Sequence, residues 1–115
     1  MYLTSLDKTP KVKMDMPGAD KVFKQIPLAK EHGVPAYSFR VFTIEPGGNT
    51  PLHTHSYEHM NYIIEGEGYL TAQGKKHPVK KGDFALVLAD EEHQYSNPSA
   101  DKAMVMICAV PKEFE

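Results

Sequence analysis

From residue 37 onward, short runs of apolar and aromatic residues alternate with clusters of Gly, Pro, Asn and Asp. Residues 37–44 are dense in aromatic and β-branched side chains and predict a strand. Glu45, Pro46, Gly47 and Gly48 then predict a turn. The same pattern predicts strands over 52–55, 60–64, 69–72, 84–88, 93–96 and 104–110, with turns at 65–68, 73–75, 82–83, 90–92 and 97–99. No segment after residue 39 has helical spacing. Short strands with a turn signal every ~8–12 residues predict an all-β sandwich or barrel. Residues 1–22 lack this order: they mix Lys, Asp, Pro and Met, and Pro10, Pro17 and Gly18 oppose a helix. They are expected to form an N-terminal arm to a barrel domain over residues 23–115. An arm with no core of its own should add an edge strand or cross to a second subunit, so a homodimer is expected.

Composition narrows the class. The 115 residues suit one domain, and a chain of this size buries roughly two-thirds of its unfolded surface. Apolar residues at 41% mark it as globular. The net charge is −2, with Lys and Arg scattered, which argues against nucleic acid or an acidic membrane surface as partner. The single cysteine, Cys108, allows no intrachain disulfide and gives no sign of an oxidising compartment. The first residues have neither a basic start nor an apolar run, and the longest apolar run, 103–110, falls far short of a membrane span. A cytoplasmic protein acting on a small molecule is the expectation.

Four of the six histidines fall in two spaced groups, and this changes the picture. His53 and His55 are two apart, so in extended chain both rings face one way. His59 has the same parity, but six extended residues span about 20 Å, far beyond what one ion with bonds near ~2 Å can bridge. The chain must therefore bend between His55 and His59, and Ser56, Tyr57 and Glu58 supply the bend. His93, from a distant strand, would close a cage around one divalent ion. His32 and His77 read as ordinary surface or packing residues; His77 sits in a Lys-rich, Pro-flanked connection.

Two spacings carry a family resemblance. Gly47, five residues, His53-x-His55, three residues, position 59, six residues and Gly66 resemble the first cupin motif. Gly82, five residues, position 88, x, position 90, two residues, His93, three residues and Asn97 resemble the second. His59 stands where that motif usually has glutamate, and Leu88 and Asp90 stand where Pro and Gly are usual. The first departure resembles small bacterial and archaeal cupins that hold an ion, often manganese, with four histidines. Residues 39–48 and the ending Val110-Pro111-Lys112-Glu113 look similar to the same group. The resemblance implies a double-stranded β-helix, a jelly-roll barrel with two facing antiparallel sheets. It implies His53, His55, His59 and His93 as ligands of one divalent metal, manganese first, with Fe, Zn, Ni or Cu as alternatives. Glu58 is the rival to His59: a slip of one residue in the bend would give a site of three histidines and one carboxylate.

Four neutral imidazoles leave the ion its full double charge, which strengthens its pull on a carbonyl or a bound water. Parity places Met104, Met106 and Cys108 on one face of the last strand, and the resemblance places that face inside. Arg40 shares a face with Phe42 and Ile44. If that face is inward, Arg40 is a buried cation that should meet a carboxylate or an anionic substrate. Tyr95 follows His93 by two and is expected to point inward too. Tyr57 and Tyr62 either line the mouth or cover the surface. Three functions compete on this basis: a dioxygenase-like oxidoreductase acting on a small organic substrate, a non-redox isomerase, lyase or cyclase, and a non-catalytic module that binds or senses a small ligand. The fold alone does not choose among them.

Overall fold

A computed structural model describes all 115 residues. It has nine strands: β1 (Val12–Lys13), β2 (Asp20–Leu28), β3 (Tyr37–Asn49), β4 (His59–Glu65), β5 (Glu67–Ala72), β6 (Lys75–Lys80), β7 (Phe84–Val87), β8 (His93–Ser96) and β9 (Met104–Pro111), with three short 3-10 turns at Leu6–Lys8, Lys30–His32 and Lys112–Phe114. All strand pairs are antiparallel and run β6-β5-β8-β3-β9-β4-β7, with β2 on the free side of β3 and β1 on β2. The curled sheet is the expected all-β jelly roll. No helix is long and apolar enough to cross a membrane.

The strand β3 does the joining. Its first part pairs with β2 and β9, while Asn49 at its end pairs with Ser96 of β8. The stretch Glu45 to Gly48, expected as a turn, is instead the corner where the strand passes from pairing with β9 to pairing with β8. Gly47 has a φ of 80°, and its N–H donates to Asn97 O while Asn97 N–H donates to Gly48 O, both at 2.9 Å. At Gly48 a Cβ would stand 2.6 Å from Asp20 O. The corner thus needs glycine once for handedness and once for room.

Beyond the short β1 of the arm, two strands escaped the sequence reading, and one expected strand is absent. β6, expected as a connection, is exposed along nearly its whole length, so no alternation marked it. β2 runs through the expected boundary between residues 22 and 23, and Val22 is fully buried. The arm ahead of it folds back on the same chain: Val12 and Lys13 pair with Lys24 and Phe23, and Gln25 Nε2 donates to Leu6 O and Thr9 O at 2.9 and 3.0 Å. Residues 52–55 do not form a strand. Only His53 bridges to His93, by bonds of 3.2 and 3.1 Å, because Pro51 has no N–H to extend the ladder and Ser56 and Tyr57 bend the chain away.

The inward faces of β2, β3, β4, β5, β8 and β9 pack Val22, Phe42, Ile44, Ile63, Leu70, Tyr95, Met104, Met106 and Cys108 into one cluster. Each fully buried aliphatic side chain there contributes roughly 1.5–3 kcal/mol relative to exposure.

Candidate metal centre

At one end of the barrel four imidazoles meet. Ring centroids are 5.1 Å apart for His53–His55 and His55–His59, 4.8 Å for His53–His93 and His55–His93, and 4.9 Å for His59–His93. His53 and His59 lie across the cluster from each other. Ligand nitrogens of His53, His55 and His93 lie within 4.8 Å of one another, so these three can hold one metal ion. His59 presents its Nε2 to His93 Nε2 at 3.0 Å.

Local structure fixes every ring. His53 Nδ1 faces Pro51 O at 2.8 Å, His55 Nδ1 faces Tyr57 O at 2.7 Å, and His93 Nδ1 faces Glu91 O at 2.8 Å. His59 Nδ1 faces the side-chain Oδ1 of Asn61 at 2.9 Å. A carbonyl only accepts, so each Nδ1 carries the proton and donates, and each neutral ring keeps its lone pair on Nε2. The amide of Asn61 is itself oriented, since Tyr95 Oη donates to the same Oδ1 at 2.9 Å and Asn61 Nδ2 donates to Ile107 O at 3.4 Å. Tyr57 stacks on His55 at 3.9 Å and on Phe114 at 4.3 Å, which clamps that ring from the C-terminal turn.

Two Nε2 lone pairs 3.0 Å apart repel unless something positive lies between them. A proton is a poor candidate: burial, and then the neighbouring His93, hold His59 down to about 3. Burial also lowers His55 and His93, against the opposing pull of the carbonyls of Tyr57 and Glu91. Neutral imidazoles with oriented Nδ1–H groups and converging Nε2 lone pairs form the donor set that a transition-metal dication prefers. On this test the residues fit a metal.

The cluster opens into a cavity of about 300 Å³ lined by sixteen residues. Arg40, Phe42, Tyr95, Met106 and Cys108 are among them, with the four histidines. Met104 shares their parity but not their place. It is fully buried opposite Ile44, deeper in the barrel, with its sulfur against Gly68; two residues of β9 separate core from cavity. Tyr57 lines the cavity, whereas Tyr62 is not among its lining residues and packs its ring, tilted, against Phe84 at 4.6 Å. Glu58 is not a lining residue, and His59 holds the inward position at the start of β4. His32 accepts from Ala29 N–H at 3.0 Å and stacks on Tyr2, and His77 is exposed.

The sequence reading missed Asn61, although an Asn of inward parity two residues after His59 in an otherwise apolar strand was a usable signal. It also missed Met14 and Met16, which come from the arm and line the cavity; nothing in the arm's irregular pattern assigned them a face.

Comparison with known proteins agrees with this architecture. The Cupin domain family, Cupin_2, matches residues 40–110. An L-ectoine synthase from Aliivibrio fischeri is 26% identical over 91 residues, 78% of this chain and 70% of that protein. An oxalate-binding protein from Thermotoga maritima is 35% identical over 60 residues, 51% of this chain and 50% of that protein. The matches span between half and seven-tenths of the curated relatives' own length. Among solved structures, the polyketide cyclase RemF from Streptomyces resistomycificus superposes with a TM-score of 0.91 at 22% identity, covering 97% of this chain and 80% of that one. With the match spanning both histidine groups and most of the barrel, the chain belongs to the cupin domain family.

Proposed function

We propose that this cupin is a metal-dependent enzyme of non-redox chemistry, an isomerase, lyase or cyclase acting on a small carbonyl compound at a site of four histidines. The observation that carries the reading is the convergence of ligand nitrogens of His53, His55 and His93, with His59 Nε2 3.0 Å from that of His93, while all four Nδ1 atoms face carbonyl acceptors. His53, His55, His59 and His93 would be the ligands of one divalent ion. The family resemblance favours manganese, and imidazole equally suits Zn, Fe, Ni or Cu. When bound, the ion would supply Lewis acidity that polarises a substrate carbonyl.

The chain's own residues supply position and environment. Met14, Met16, Phe42 and Met106 make part of the wall apolar, which strengthens the field beside them. No Asp or Glu lines the cavity, and burial drives the Tyr95 phenol well above its ordinary range, so that hydroxyl stays protonated and donates to Asn61. A site with no side-chain base near neutrality is suited to electrophilic activation more than to proton abstraction by the protein. Similarity to a synthase and a cyclase supports the same class.

The test is metal exchange. Purified protein is assayed by elemental analysis, then loaded with zinc or manganese and mixed with a panel of enolisable ketones and 1,3-dicarbonyl compounds. An isomerised, cleaved or cyclised product with zinc, without oxygen uptake, is expected. Oxygen consumption with manganese or iron and none with zinc would favour the dioxygenase instead. No turnover with any metal would leave a ligand-binding module. A homodimer is proposed as well: Phe84 and Leu86 on the edge strand β7, with Leu88 just beyond it and Met60 beside it, expose an apolar ribbon of the kind that partners cover. A monomeric mass at micromolar concentration would rule it out.

A further inference from the structure

Arg40 is the one Lys or Arg lining the cavity, and it is only 8% exposed. It reaches the cavity from β3, opposite Cys108 of β9, which in turn pairs with Asn61 of β4. Its Nη2 donates to Cys108 Sγ at 2.8 Å, and its guanidinium lies 5.0 Å from the centre of the Phe42 ring. Its Nε has no hydrogen-bond partner. The chain's only close contact between a basic group and a carboxylate is His32–Glu31, so Arg40 has no counter-ion. Glu115, the acid near this end of β3, is taken by Ser38 Oγ and Lys30 N–H. Burial keeps Cys108 a neutral thiol despite Arg40. The uncompensated charge is felt outside: after burial, Arg40 is the next cause holding Lys24 below its ordinary value.

A guanidinium does not lose its proton in a protein, and a buried charge without a partner costs several kcal/mol. A purely structural arginine would be paired. Here the missing partner is an anion: Arg40 lines a cavity with no acidic side chain, and its buried Nε has no partner. The anion's class follows from the donors. One Nε–H and a neighbouring Nη–H form a planar fork that matches a carboxylate. A phosphate would call for further cations or a glycine-rich loop of N–H groups, and the lining has neither.

We propose that Arg40 is a carboxylate subsite, and that the substrate is a small organic acid whose carboxylate sits on this guanidinium while a second oxygen group faces the histidine cluster. This rests on the metal-dependent reading for the second contact only. In the zinc-loaded protein, acetate, pyruvate and benzoate should each bind more tightly than acetamide, pyruvamide and benzamide in calorimetric titration. Arg40→Met should weaken pyruvate by about ten- to a hundred-fold, the range for a hydrogen bond to a charged group, with pyruvamide unchanged; Arg40→Lys should fall between. Should the variants fail to fold, the wild-type protein still decides: pyruvate should shift the Arg40 Nε–H resonance and pyruvamide should not. Equal binding of acids and amides, loss of pyruvate binding that does not follow Arg40, an unmoved Nε–H signal at saturation, or phosphate bound at Arg40 in preference to all three acids would each overturn the proposal. Zinc content of the same samples separates the two readings. Zinc-loaded protein without a carboxylate preference sinks this one alone, and zinc-free protein that binds carboxylates through Arg40 sinks only the metal.

Discussion

The two ends of the barrel interior are built from the same strands. Along β3 the inward side chains run Arg40, Phe42, Ile44; along β9, Cys108, Met106, Met104; along β4, His59, Asn61, Ile63. The registers align these series, so Arg40 stands opposite Cys108 and Ile44 opposite Met104. At one end the side chains are polar, oriented by hydrogen bonds and open to a cavity. At the other they are aliphatic and fully buried. The closed end supplies burial free energy, and the open end holds polar groups that would be costly anywhere else. A strand period of two makes the division possible, because one face serves both ends within five residues.

The largest expected effect tests the closed end. Ile44→Ala should destabilise the fold by about 2–5 kcal/mol, read as a lower denaturation midpoint, while the fraction that remains folded binds metal as before. If metal content falls in step with stability, the two ends are not separable. Next is metal removal. A ligand that binds only the folded state at a thousand times its dissociation constant adds about 4 kcal/mol, so a chelator should lower the melting temperature of the loaded protein. An unchanged melting curve would mean that the cage is wrong or empty.

His59→Ala cuts into the open end. It should weaken metal binding roughly tenfold or more and leave the circular dichroism spectrum of the barrel intact. The same substitution sharpens a pH prediction. In the metal-free protein His59 sits at about 3, against 6.5 for a free imidazole. The folded state therefore binds fewer protons than the unfolded state between these values. Stability should be full above pH 6.5 and decline as the pH falls toward 3, by up to ~1.4 kcal/mol per unit for each such group. Chemical denaturation across this window should show the slope, and His59→Ala should flatten it. Smallest is Glu58→Ala, which should leave metal content near normal. Loss of the ion there, with retention in His59→Ala, would move the ligand by one residue.

β4, β5 and β8 were legible because buried positions alternate with less buried ones, and β3 and β9 because they are dense in apolar and β-branched residues. β6 was not, because it is wet on both faces. β2 was not, because Pro27 and its Lys residues mask a strand whose buried positions are few. The spacing of His53, His55 and His93 was enough to find the cluster, although the extended segment expected to carry the first pair is a single bridge. What the sequence could not show is orientation, which depends on carbonyls and on Asn61, and the contribution of Met14 and Met16 from an arm without periodicity.

One detail of the cluster bears on mutation. His53, His55 and His93 are steered by main-chain carbonyls two residues away, which every amino acid carries. Replacing Tyr57 or Glu91 changes a side chain but leaves that acceptor in place. His59 alone depends on a side chain. Position 61 is therefore where a one-residue change removes the acceptor that holds an imidazole without touching any histidine. Aspartate there would press electron density onto the ring, and leucine would leave the ring free to turn.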